Sequence, residues 1–339
     1  MKCIFCLKER PGTEEHIFPR AIGGKLTTDR VCKLCNSSFG SKVDAALSDN
    51  FLVRGHRARL RLAGNSGEPP AMHELLLGVG RLAENPSIRV EVRFDECEQK
   101  IVTRTLHHAS DAIMPDGSKA RKIVVDEKDA GDLPKIIQRE RERHGVPPLS
   151  VEALEAEVSR FRDNVTVINN PKVLFERSYS FAFVRHAMIK IAYELAFLWL
   201  GEDYINDPSA AELRDVIHSA DPNSTDKLPA YVADAEGFEA FKLWPSNETE
   251  HLAYAFAGDD GIAIAVRVFN IHAAFVWVTK DPTRYLSGRD AGQRLRFLCM
   301  DAITGQKRDV PMMDELARIA AAIVVSRNNE IVKSDDLSY

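Results

Sequence analysis

Apolar and polar positions follow three regimes along this chain. Ile88-Arg89-Val90-Glu91-Val92-Arg93-Phe94 alternates with period two, as a half-exposed strand does, and Ile101 to Leu106 and Lys122 to Val125 predict further strands, with Pro115-Asp116-Gly117 a turn between them. Asp132 to Arg143 then reads as a charged helix, Gly145-Val146-Pro147-Pro148 breaks it, and Ser150 starts another. From Leu174 the pattern lengthens. Phe175, Tyr179, Phe183, Met188, Ile191, Ala192, Leu195, Ala196 and Trp199 form a dense apolar face ending at Gly201, which suits the C′ position of a long core helix. Ala210 to Ser219 gives a second helix beside it. Strands return at Ala253 to Phe256, Ile262 to Phe269 and Ala273 to Val278, with Gly258-Asp259-Asp260-Gly261 as a hairpin turn. Pro311 to Val325 predicts a last helix, and the polar end, Asn328 to Tyr339, is expected to fray.

This order of elements predicts an α+β protein. The breakers Gly64-Asn65-Ser66-Gly67-Glu68-Pro69-Pro70 mark a linker. They divide the chain into a small module over 1–62, a mixed strand and helix region over 72–165, and an α+β C-terminal domain over 170–330 suited to sensing, targeting or oligomerisation. A chain of 339 residues has room for such a division. Its 45% hydrophobic and 28% charged residues are those of a soluble globular protein. The most apolar stretch, Ile189 to Leu200, is too short to span a bilayer and carries Lys190 and Glu194. With no membrane segment and no targeting segment, the default location is cytoplasmic.

The chemistry concentrates in the first fifty residues. Four of the six cysteines fall there, as Cys3-Ile4-Phe5-Cys6 and Cys32-Lys33-Leu34-Cys35, two knuckles 25 residues apart. That spacing closes a tetrahedral four-thiolate site for structural Zn²⁺. A disulfide framework fits poorly, because the only other cysteines, Cys97 and Cys299, are scattered and the chain opens without a secretory segment. A redox motif would explain one knuckle and not its match. Between the knuckles, Glu15-His16-Ile17-Phe18 reads as a short strand ended by Pro19, Gly23-Gly24 as a turn, and Thr27 to Val31 as the returning strand. Neighbours on a strand face opposite ways, so a catalytic Glu15-His16 pair must sit where the strand twists or ends. Asn36 to Leu47 reads as a helix, since Phe39, Val43 and Leu47 recur every four residues.

This pattern, Cys-x-x-Cys, Glu-His-Ile-x-Pro, Gly-Gly and Cys-x-x-Cys-Asn, resembles the zinc-stapled subgroup of the HNH endonuclease family over residues 1–50. The resemblance implies a ββα-metal fold that hydrolyses DNA phosphodiester bonds, with double-stranded DNA as partner. It implies His16 as the general base, Glu15 and Asn36 as ligands of a catalytic divalent ion, Mg²⁺ or Mn²⁺, and a bacterial or phage setting in restriction or antiphage defence. The sequence departs from the family's pattern in one place: the middle residue that fixes the histidine ring, commonly an asparagine, should fall where this chain has Thr27-Thr28-Asp29-Arg30, and Asp29 could orient the imidazole instead. Asp44, eight residues after Asn36 on roughly the same helical face, either completes the metal shell or is a solvated helix residue. A homodimer is the simplest way for a one-site nuclease to cut both strands.

Charge agrees with this reading. Residues 1–61 hold 12 Lys or Arg against 6 Asp or Glu, a net +6, and the remaining 278 residues carry −11. A cationic module on an anionic body suits a nuclease whose module alone meets the phosphate backbone. Arg54, Arg57, Arg59 and Arg61 are the expected phosphate contacts; the plain alternative is a solvated helix face. His56, His73, His144, His218, His251 and His272 read as structural or surface histidines, and the neighbours His107-His108 would point apart on a strand. The rival function is a zinc-ribbon nucleic-acid-binding or regulatory protein without catalysis, which would not require Glu15, His16 and Asn36 together. A protein-binding scaffold would leave the positive module unexplained.

Overall fold

The computed structural model describes the chain apart from residues 65–66, 114, 118, 163–164, 178–179, 220, 236–237, 246, 289 and 336–339. Parts of the expected linker, Asn65 and Ser66, and of the expected fraying end, residues 336–339, lie outside the described residues, as does Tyr179. The chain forms two compact units. One joins Met1–Pro70 to Tyr179–Tyr339, and the other is Ala71–Ser178. Residues 1–62 therefore fold with 179–330, while 72–165 fall wholly in the second unit.

In the first unit, strands β1 (Gly12–His16) and β2 (Thr27–Cys32) form an antiparallel hairpin. Helix α1 (Lys33–Phe39), a π-helical turn over Gly40–Asp44 and α2 (Ala45–Ser48) follow without a break, and α3 (Phe51–Leu60) is capped by Asn50, whose side chain accepts from the amides of Leu52 and Val53. The first strand lies earlier than the expected Glu15 to Phe18. The chain bends at Ile17 and Phe18, which lets both of these consecutive side chains turn into the core, where they are fully buried. The turn that follows requires glycine. Gly23 has φ +86°, and a Cβ there would sit 2.4 Å from the Ala302 carbonyl oxygen, while one on Gly24 would sit 1.8 Å from that of Phe18.

The second unit contains a four-stranded antiparallel sheet of β3 (Gly78–Leu82), β4 (Arg89–Asp95), β5 (Lys100–Thr105) and, after a separate hairpin of β6 (His108–Ile113) and β7 (Lys119–Val124), the short β8 (Val173–Leu174). Helices α4 (Leu133–Arg143) and α5 (Val151–Arg162) lie between β7 and β8 in sequence. Among the described residues, Leu82, Val90, Val92, Leu133, Ile136 and Ile137 are its buried apolar side chains.

The chain returns to the first unit with α6 (Phe181–Leu200) and α7 (Pro208–His218). A six-stranded antiparallel sheet comprises β9 (Ala230–Asp234), β10 (Glu250–Gly258), β11 (Gly261–Val268), β12 (His272–Thr279), β13 (Arg296–Asp301) and β14 (Lys307–Pro311), in the order β14-β13-β10-β11-β12-β9. Short helices α8 (Thr283–Leu286) and α9 (Ala291–Arg294) precede β13, and α10 (Met312–Asp335) closes the chain. Every residue of β11 is buried, as expected of a central strand covered on both faces.

The long helix begins at Phe181, not in the run from Phe175, and it is buried nearly all round instead of along one face. It packs on β9, β11 and β12, and also against the π turn and α2 of the hairpin module. A helix apolar on all sides suits such a middle layer. Gly201 terminates it with φ +96°, as its position implied. Among the described residues, no helix is long and apolar enough to cross a membrane.

A neutral histidine helps to fasten the module to the sheet. His251 on β10 is fully buried; its Nε2 donates to the Ile22 carbonyl at 2.8 Å, and its Nδ1 accepts from the Phe269 amide at 3.4 Å. Phe18 stacks on the ring at 5.1 Å. A second ring proton would face the Phe269 N–H. Burial above all, with His56 nearby, lowers this histidine from 6.5 to about 4, although the Ile22 carbonyl and Asp301 act the other way. The unfolded chain thus binds more protons across that window. The stabilisation is complete above pH 6.5 and is lost as pH falls toward 4, by about 3 kcal/mol in all. We predict that the unfolding free energy of the wild type, measured by urea titration, falls with acidification more steeply than that of His251→Gln by about 1.4 kcal/mol per pH unit within that window; equal slopes would refute it.

Candidate active site

The hairpin and the helix after it are bound together at two places. At the first, the sulfurs of Cys3, Cys6, Cys32 and Cys35 all lie within 4.8 Å of one another. Cys3 and Cys6 flank a turn in which Leu7 donates to the Cys3 carbonyl at 2.9 Å with φ +56°, while Cys32 ends β2 and Cys35 lies in the first turn of α1. The Cys32 amide points at the Cys3 sulfur, 3.4 Å away. All four cysteines are free thiols, and the Cys6 and Cys32 sulfurs are 3.8 Å apart. A tetrahedron with Zn–S bonds of about 2.3 Å has edges of about 3.8 Å, so both the donor set and its size fit zinc. Burial pushes the thiols of Cys3 and Cys35 up; burial acts the same way on Cys32, but the Cys35 amide and the neighbouring sulfurs outweigh it and bring that thiol down to about 7.

At the second place, Asn36 of α1 reaches back to β1. Its Nδ2 donates to the Glu14 carbonyl at 2.8 Å and to Thr13 Oγ1 at 3.2 Å. These acceptors orient the amide nitrogen toward the strand, and Oδ1 accepts no hydrogen bond among the described residues. A cleft of about 460 Å³ opens here, lined by Glu14, Glu15, His16, Asn36, Asp44 and Arg57, among others. The hairpin register shifts between Thr13 and Glu15, and the strand ends at His16. This irregularity lets successive residues of the strand border one cleft.

The π turn matters for Asp44. Eight residues of regular helix would rotate it about 80° away from Asn36, but one residue accommodated as a π bulge brings the two within about 20°. Both line the cleft. Asp44 is nevertheless not solvated. Lys190 of α6 enters between the carboxylates, with Nζ 2.5 Å from Glu15 Oε1, 3.2 and 3.3 Å from the two oxygens of Asp44, and 3.4 Å from Glu194 Oε2. Lys190 is 0% exposed and Glu15 3%. Burial by itself would lower the Lys190 ammonium, but Asp44, Glu194 and Glu15 together hold it above the ordinary lysine value. Burial pushes the carboxyls of Glu15, Asp44 and Glu194 up, against the pull of Lys190.

His16 is half-buried, and partial desolvation keeps its imidazole below the ordinary value; Glu14 acts to raise it and Arg20, Lys25 and Lys190 to lower it. Asp29, expected behind this ring, is exposed on β2, and no hydrogen bond joins it to His16 among the described residues. Glu14 is a carboxylate whose charge raises the imidazole, and the charges of His16 and Asp44 also act on one another.

The four arginines differ. Arg57 is 6% exposed; it lines the cleft, yet its guanidinium donates to the Ser48 carbonyl at 3.0 Å and to Asp49 at 3.4 Å, so these donors are spent inside the fold. Arg59 pairs with Glu248 at 2.5 Å and donates to His56 Nδ1. Arg61 is exposed in the left-handed conformation that ends α3, and Arg54 lies earlier on that helix. Lys190 was not foreseen as part of the site. Its signal was present: a lysine four residues before a glutamate inside the chain's most apolar stretch must find a partner.

Residues 3–52 match the family model described as HNH endonuclease. This cysteine-bound segment is thus an HNH endonuclease domain, which supports nuclease activity and implies a nucleic-acid substrate. The match spans fifty of 339 residues; no curated protein and no solved structure matches the chain.

Zinc bound to four sulfurs at the base of so small a module would supply much of its folding free energy. We predict about one zinc per chain in the purified protein, and loss of both the metal and the module's protease resistance in Cys32→Ser. Metal analysis with limited proteolysis checks this; a metal-free chain with an intact module would refute it.

Proposed function

We propose that this protein is a metal-dependent endonuclease that hydrolyses DNA phosphodiester bonds in the cleft between β1 and the α1–α2 helix. The observation that carries the reading is the convergence of His16, Glu15 and Asn36 on one cleft, beside a zinc-compatible cysteine site, within a segment that matches HNH endonucleases. Binding alone would not call for that trio.

In this reading His16 takes the proton from a water that attacks phosphorus in line, and the bond from phosphorus to the leaving sugar oxygen breaks as the new one forms. The donor set fits a hard divalent cation: Glu15 Oε2 and Asn36 Oδ1 accept no hydrogen bond among the described residues, and three carboxylates face one ammonium, an excess of two negative charges when all are ionised. Mg²⁺ or Mn²⁺ held by Glu15, Asn36 and Asp44 would supply the charge that neutralises the phosphoryl oxygens. Glu14 provides a negative charge that favours the imidazolium formed after proton transfer. Asn36 ties the helix to the strand that carries the base, and so fixes their spacing. Arg20 borders the cleft and, with Arg54 and Arg61, offers cationic contacts for the phosphate backbone. A role in restriction or antiphage defence rests on the family resemblance alone, and action on duplex DNA by a homodimer on the need for two cuts.

We predict that zinc-loaded protein with Mg²⁺ or Mn²⁺ cleaves supercoiled plasmid. His16→Ala should slow cleavage by about 10²- to 10⁴-fold while keeping its zinc and its melting temperature. Undiminished cleavage by His16→Ala would remove the assigned base. DNA retention with no cleavage by the wild type in any divalent metal would favour the zinc-ribbon binding reading.

A further inference from the structure

We infer that Lys190 is a positioning residue of the nuclease cleft, supplied by the body of the protein, and that it sets both the placement of Glu15 and the strength with which Glu15 and Asp44 take a divalent cation. The inference rests on the preceding reading of the cleft and adds to it a residue 174 positions beyond the catalytic histidine.

Four observations carry it. First, Lys190 is fully enclosed and its single ammonium meets carboxylates from three separate elements: Glu15 on β1, Asp44 on the π turn and Glu194 one turn along α6. Of its three N–H donors, two make hydrogen bonds, to Glu15 Oε1 and Asp44 Oδ2, while Glu194 is met as an ion pair at 3.4 Å. Second, two of these carboxylates border the cleft. Third, Glu194 is also fully enclosed and, among the described residues, neither of its carboxyl oxygens has a hydrogen-bond partner; Lys190, 3.4 Å away, is the cation paired with it. Fourth, Glu15 is gripped through Oε1 at 2.5 Å, which fixes its side chain while Oε2 accepts no hydrogen bond among the described residues.

The consequence follows from sharing. A lysine beside a divalent cation repels it, yet it neutralises the carboxylates enough for them to stay buried and in place before any cation arrives. Without it, Glu15 and Asp44 would attract a cation more strongly and hold it less accurately. A displacement of about 1 Å in such a site costs about 100-fold in rate. Lys190 thus trades cation affinity for geometry, and the nuclease module depends on the helix that carries it.

Lys190→Met alone would strand three carboxyl groups, so the decisive variant is Lys190→Met combined with Glu194→Gln, which replaces both members of the α6 pair by neutral side chains of similar volume. Mn²⁺ binding to the full-length, zinc-loaded chain is measured by calorimetry without DNA, and plasmid cleavage separately at saturating Mn²⁺. The double variant should keep its zinc, bind Mn²⁺ at least as tightly as the wild type and up to about 10-fold tighter, and cleave about 100-fold more slowly. Lys190→Arg, which keeps the charge, should hold Mn²⁺ within about twofold of the wild type and recover part of the rate. Wild-type rate and wild-type Mn²⁺ affinity in the double variant would overturn the assignment. Joint loss of rate and of Mn²⁺ binding would also overturn it, as the mark of a collapsed site. If the wild type cuts no DNA but the double variant still binds Mn²⁺ more tightly, the endonuclease reading fails while the link between Lys190 and the cation site stands.

Discussion

One ammonium enclosed by three carboxylates is the contact on which this structure turns. Burying Lys190 without partners would cost several kcal/mol, and each carboxylate alone would cost as much. Together they form a cluster that is tolerable only while β1, the π turn and α6 remain in register. Electrostatics thereby does what apolar packing cannot. Hydrophobic contacts between the module and α6 accept small slips, but an ammonium at 2.5 Å from Glu15 and 3.2 Å from Asp44 does not.

Around this point the module is fastened by contacts of different chemistry. Tyr193, three residues after Lys190, donates to the Ile4 carbonyl at 2.5 Å and packs on Phe5 at 5.1 Å, tying the first cysteine knuckle to α6. His251 holds Ile22 and Phe18 to the sheet from another side. The four sulfurs close the module internally, and Asn36 spans its helix and strand. A small domain with little core of its own gains rigidity from each. The module is accordingly part of a larger unit with residues 179–339.

The sequence was most legible where chemistry depends on short spacing. The two knuckles could be read directly because Cys-x-x-Cys in a turn or at a helix start fixes its two sulfurs near one another, and a hairpin between the knuckles closes the four-sulfur cluster. The sheet strands β10, β11 and β12 were legible for a similar reason, since their apolar runs are long and their hairpin turn is glycine-rich. Strands β9, β13 and β14 were not. They are short, and β9 and β14 lie at the sheet edges, where one-sided pairing leaves little pattern to read. The helix α6 was found but its surroundings were not, because a sequence that is apolar all round says only that the helix is covered, not by what.

Local sequence alone determined the kind of chemistry: thiolates spaced for a tetrahedral ion, and a histidine next to an acidic residue near an amide. Each knuckle and the Glu15-His16 pair is local in sequence, and the single β1–β2 hairpin brings the second knuckle and Asn36 back to the first strand. The fold decided which charges they meet. It placed Glu14 instead of Asp29 where its charge acts on the imidazole, spent donors of Arg57 on its own loop, and brought Lys190 between Glu15 and Asp44 from 175 residues beyond Glu15. Long-range partners of a buried charge depend on topology, and no spacing rule written along the chain contains that information.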